Sequence, residues 1–210
     1  MHLYFHYLEN YIGLLNNSIM NIYNLISDLD KKISAEVEID DKNNIQEKYN
    51  FNQHRHNFAV WTAARAVQRN FTTTKNIATA IEKSGLRDFV ESYVNISKEE
   101  FNNFHMECAN KLIKSLQSQN CTYGIAAKII AIYLKTALIL YNKGQNCGSI
   151  HPPLDRILIT NFIKCNKIKE YTYKPWTQLN HKDYWELIAL IEKYNSNIDW
   201  RLEQYWKIFN

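Results

Sequence analysis

Between Ile125 and Leu140 the chain reads IAAKIIAIYLKTALIL, in which only Lys128, Lys135 and Thr136 are strongly polar. A helix apolar nearly all round belongs in the centre of a domain, with other elements packed on every side. The run is too short, and too interrupted by lysine, for a membrane span. The rest of the sequence supplies what such a helix needs. There are 14 Tyr, 9 Phe and 5 Trp for a core, and only 5 Gly and 3 Pro in 210 residues, too few turn-formers for a sandwich of short strands. No strand-period run stands out. These features predict an all-α chain of roughly eight helices.

The predicted helices follow from periodicity and end signals. Leu8, Ile12, Leu15, Ile19, Ile22, Ile26 and Leu29 alternate spacings of four and three, the stripe of an amphipathic helix. Ser34–Asn50 is polar without a period and reads as a loop. HRHNFAVWTAARAVQRNF follows as an alanine-rich helix with Phe58, Trp61 and Ala64 on one side. The TTTK run caps NIATAIEKS, and Gly85 stands where a left-handed C-cap belongs. Ser97 and Glu100 form a capping box for a helix from Lys98 to about Leu116. Pro152 and Pro153 fit the first turn of a helix through LDRILITNFIK. Asn180–Tyr194 and Asp199–Phe209 close the chain.

The four cysteines, Cys108, Cys121, Cys147 and Cys165, contain no CxxC pair, and the N-terminus lacks the basic start and small-residue cleavage site of a secretory signal. Reduced thiols in a cytoplasmic monomer are expected. His54 and His56 form an H-x-H without a Cys or Glu partner at ligand spacing, so no metal is expected. The net charge is +4, and nine basic residues (Lys111, Lys114, Lys128, Lys135, Lys143, Arg156, Lys164, Lys167 and Lys169) crowd between Cys108 and Lys169 against the single acid Asp155. Such a stretch suits a polyanion, because each neutralised phosphate releases counterions. A solvated lysine-rich surface is the plainer alternative.

Lys128 and Lys135 fall within about 20° of each other on an ideal helix, so they share one stripe facing water, a cleft or an anion. Lysine stems snorkelling at an exposed edge would explain that stripe. Lys128, however, lies in the helix's first turns, where the dipole and the apolar surroundings both disfavour an ammonium, and a lysine so placed can act as an amine nucleophile. Asp155 stands 27 residues on, at the start of the next helix, where it reads as an N-cap or as the lysine's partner.

TYGIAAKIIAIYLKTAL followed by HPPLDRILI resembles the hairpin and catalytic segment of the helix-hairpin-helix DNA glycosylase superfamily, closest to its lysine-bearing 8-oxoguanine members of archaeal type. In that pattern a glycine-containing hairpin opens a helix carrying a nucleophilic lysine. A Pro-x-Asp tripeptide then opens another helix with the essential aspartate. Here Gly124, Lys128 and Pro153-Leu154-Asp155 occupy those places. Upstream, NFAVWTAARAVQRNFTTTKNIATAI resembles the superfamily's helix–turn–helix, which would put Gln68, with Arg69 beside it, near the wedge that fills the space left by a flipped base. The hairpin departs from the usual Leu-Pro-Gly-Val-Gly by keeping one glycine, and no four-cysteine iron–sulfur loop follows.

The resemblance implies two lobes flanking a DNA-binding cleft, within one unit over residues 1–210. Residues 51–120 would form a helical lobe, 121–169 the hairpin and catalytic segment, and 1–50 with 170–210 the other lobe. It implies excision of an extruded base from double-stranded DNA without a cofactor. Lys128 would attack C1′ and Asp155 would assist it. Gln68, Arg69, Tyr123, Gly124, Lys135 and Arg156 would contact DNA, with Lys143 a further candidate. The damaged or phage-modified base is left open. A non-catalytic helical nucleic-acid-binding protein of a regulatory or defence system would equally explain the basic stretch. The C-terminal aromatics Trp200, Tyr205, Trp206 and Phe209 are expected in the core, with stacking on an extruded base as the alternative.

Overall fold

A computed structural model describes residues 27–28, 50–67 and 71–207. The chain divides into two units, Met1–Lys48 and Tyr49–Asn210. The N-terminal stripe, most of the Ser34–Asn50 loop, Gln68, Arg69 and Phe209 lie outside the described residues. In the second unit every regular element among the described residues is helical, so the fold is all-α. The α-helices are α1 (Phe51–Val67), α2 (Thr74–Ser84), α3 (Leu86–Glu91), α4 (Lys98–Ser115), α5 (Tyr123–Leu134), α6 (Arg156–Cys165) and α7 (His181–Tyr194). A π segment, Lys135–Ile139, extends α5, and short 3-10 turns cover Gln117–Gln119, Trp176–Gln178 and Trp200–Tyr205.

Helix ends obey the local signals. Thr73 Oγ1 accepts the Asn76 N–H at 3.2 Å, and Gly85 closes α2 at φ 87°. That same glycine leads straight into α3, a short helix without a sequence signal of its own. Ser97 and Glu100 make the reciprocal capping box, and Asn180 with Asp183 repeats it at α7.

Helix α5 is the hub. All of its residues except Ile132 are buried, and it packs against α1, α3, α4, α7 and the Trp176 turn. Each buried Ile or Leu contributes roughly 1.5–3 kcal/mol through removal from water, so the central helix is a main source of stability. At its end the Thr136 hydroxyl donates to the Ile132 carbonyl at 3.0 Å and the Leu140 N–H reaches back five residues to Lys135. Side-chain bonding of this kind competes with the regular ladder and accompanies the widening to a π turn.

Three sequence expectations need correction. Phe58 and Trp61 do not share the side of Ala64: the buried face of α1 is His56, Ala59, Val60, Ala63, Ala64 and Val67, while the two rings are half-exposed and stack on each other at 5.8 Å. The small side chains let α1 approach α5 closely, and His56 reaches α5 from the same helix, its Nδ1 2.8 Å from the Tyr133 hydroxyl. Pro152 and Pro153 precede α6 rather than occupying its first turn, since Asp155 caps the helix and starts it at Arg156. The C-terminal helix shrinks to the 3-10 turn at Trp200–Tyr205.

Candidate active site

Residues His151 to Leu154 are all buried, so the segment leading into α6 is anchored in the core before it emerges at Asp155. The His151 ring takes part in this anchoring through Tyr184, whose hydroxyl lies 3.1 Å from His151 Nδ1. Asp155 is the N-cap of α6, its Oδ1 accepting the Leu158 N–H at 3.0 Å. That leaves Oδ2 turned towards α5. There it accepts Lys128 Nζ at 2.8 Å and the Trp206 indole N–H at 3.0 Å. Three donors from three elements fix the plane of one carboxylate.

Lys128 sits two turns into α5 and is 8% exposed, its ammonium 5.6 Å from the centre of the Trp176 ring. Burial pushes its pKa down from the ordinary lysine value, while the Asp155 charge and hydrogen bond pull the other way. A buried pair of this kind is weak evidence for stability, because desolvating two charges offsets much of their attraction. The chemical content is clearer. An amine is held in low dielectric against a carboxylate that can take its proton, the arrangement an amine nucleophile needs.

Lys135, on the same stripe, pairs with Glu203, and its ammonium lies 5.7 Å from the Trp206 ring. The stripe therefore faces two carboxylates, with an indole between the lysines. Trp206 is 38% exposed and forms the outer wall of the site. Sequence patterning missed Trp176 and Glu203, which reach α5 from distant segments. Trp206 was foreseen only as a core or stacking side chain.

The other expected DNA contacts divide. Tyr123 and Gly124 are buried and their polar groups are used internally, which corrects their assignment as a phosphate-facing hairpin. The Gly124 N–H donates to the Leu179 carbonyl at 3.0 Å, and the Tyr123 hydroxyl lies 3.2 Å from both His105 Nδ1 and Trp185 Nε1. A Cβ at Gly124 would collide with the Trp176 carbonyl, so the glycine is required by a close approach of protein to protein. Lys135 spends its charge on Glu203. Arg156 and Lys143 form no ion pair among the described residues. Gln68 and Arg69 lie outside the described residues.

No group of three or more His, Cys, Asp or Glu side chains among the described residues is arranged to hold a metal ion. All four cysteines are free thiols, and Cys165 alone among them is exposed. No helix among the described residues is long and apolar enough to cross a membrane. Compared with protein-family models, with curated proteins and with solved structures, the chain finds no match in any of the three.

Proposed function

We propose that this chain is a DNA glycosylase that excises an extruded base through Lys128, on a two-lobed fold of the helix-hairpin-helix glycosylase type. The observation that carries the reading is the 2.8 Å contact between Lys128 Nζ and an Asp155 carboxylate that also caps the next helix. The sequence resemblance named the same two residues. The basic stretch supports a nucleic-acid partner, and an everted nucleotide is what an amine below the surface could reach.

In this reading Asp155 accepts a proton from Lys128, leaving a neutral amine. The amine nitrogen attacks C1′ of the deoxyribose. The glycosidic C1′–N bond breaks and its electron pair departs with the base. The proton lost by the nitrogen passes by way of Asp155 to the leaving base. The C1′–O4′ bond then breaks, O4′ takes the remaining proton shed by the nitrogen by way of Asp155, and the opened sugar is held as a Schiff base on Lys128, from which strand cleavage can follow. Trp206 holds Asp155 Oδ2 in place, and Trp176 lies beside the ammonium. Tyr123 and Gly124 take no part as phosphate ligands.

The test is borohydride trapping on DNAs that carry damaged and phage-type modified bases. Wild type should form a covalent adduct, Lys128→Ala none, and Asp155→Asn should lose base release while still binding DNA. If both variants free bases at the wild-type rate, the pair is not catalytic.

A further inference from the structure

Beyond Asp155 a groove of about 820 Å³ runs along α6, within the size range of small-ligand pockets. Its walls include Arg156, Lys164, Lys167, Lys169, Tyr171 and Tyr173, and no acidic residue lines it. None of its four cations forms an ion pair among the described residues.

Two of these cations stand where the helix itself would favour something else. Arg156 is the first residue of α6, at the positive end of the dipole, where a cation is disfavoured. Lys167 adopts φ 53° just past the end of α6, a left-handed position suited to glycine or asparagine. Charges kept against local preference point to a task outside the fold. Tyr173 is 46% exposed, and Tyr171 is half-buried beside it. Aromatic faces interleaved with cations are what unpaired bases stack on, whereas bases inside a duplex hide their faces.

Two lining residues are chain neighbours of the site already described. Arg156 follows Asp155 in the chain, and Pro175, another lining residue, precedes the Trp176 whose ring faces Lys128. We propose that this groove is the track for an unpaired stretch of DNA leading to the Lys128–Asp155 pair. The lysines and Arg156 would follow the phosphates, and Tyr171 and Tyr173 would stack on bases. The choice of DNA rests on the base-excision reading; the affinity for an unpaired polyanion rests on the groove alone.

Fluorescence anisotropy with the full chain tests this on an unpaired DNA of roughly 15 nucleotides and on the same sequence as duplex. The variant Lys164→Glu/Lys167→Glu/Lys169→Glu should weaken binding of the unpaired strand by about 30-fold or more. It should also lower the salt slope by about 2, at roughly 0.7 per phosphate contact. Tyr173→Ala, at an exposed side chain whose loss leaves folding intact, should cost about tenfold on the unpaired strand and little on the duplex. Wild-type affinity for the unpaired strand in both variants would overturn the groove, as would equal losses on duplex and unpaired DNA. Tenfold tighter capture of an RNA of the same sequence would overturn the assignment to DNA. Wild type that binds through the groove but frees no base would leave the groove standing and remove the base-excision reading. Base release by wild type, with groove variants that bind normally, would do the reverse.

Discussion

At Asp155 one carboxylate closes a helix and holds a lysine, and different replacements separate the two roles. Asp155→Asn keeps a capping oxygen but removes the charge. Burial, the largest influence on Lys128, then loses its chief opponent, so the lysine pKa should fall further below its ordinary value. Titration of isotope-labelled Lys128 by NMR reads this directly, and a value that stays put or rises would contradict the 2.8 Å contact. Asp155→Ala gives up the cap as well, which should cost about 1 kcal/mol more in a denaturant titration. Lys128 and Asp155 were legible in the sequence for opposite reasons: the lysine breaks a local expectation inside an apolar helix, and the carboxylate obeys one at a helix start. Trp206 was not legible in this role. Its indole N–H finds Asp155 across 51 residues of chain, and nothing in its neighbourhood announces that partner.

Helix α5 shows how an element can be read correctly while its end is misread. Its all-round apolarity marked it as central, and it is. The glycine at its start suggested a phosphate-binding turn, but the space is taken by the Trp176 turn, and the free N–H is spent on Leu179. Gly124→Ala should therefore destabilise the fold by about 1–3 kcal/mol or more through overpacking against backbone. Gly148→Ala is the matching control: a Cβ there meets nothing within 4 Å, and its effect should be small. Chemical-denaturation midpoints decide between them, and equal effects would show that the approach at Gly124 is not a constraint. The α1 faces carry the same lesson. Periodicity put Phe58 and Trp61 on one side with Ala64, but only the alanine is buried, while the two rings stay half-exposed.

Across the whole of the second unit, buried imidazoles tie α4, α5, α7 and the loop before Asp155 together. His105 contacts the Tyr123 and Tyr184 hydroxyls, and His151 contacts Tyr184. Burial holds His105 well below its ordinary value, reinforced by neighbouring His151 and His181. Burial and the Lys98 charge take His151 down to about 3. Both are neutral in the folded protein, while in the unfolded chain they take up protons near pH 6.5. Their stabilisation is complete above that pH and is lost progressively as pH falls towards the folded values. Glu170, with a pKa lowered to about 2, and Asp183, also lowered, lose their contribution only at more acid pH, so the range from 6.5 to 5 isolates the histidines. The denaturant midpoint should fall on going from about pH 7.5 to 5. A midpoint unmoved across that range would mean the two rings are not held neutral.

Fold class, the caps at Thr73, Ser97 and Asp155, and the centrality of α5 follow from the sequence alone, because caps and periodicity act within a few residues and need no distant partner. The tertiary structure decided which face of α1 turns inwards, what fills the space at Gly124, and which groups meet at Lys128. Those outcomes depend on distances between segments far apart in the chain, which only packing sets.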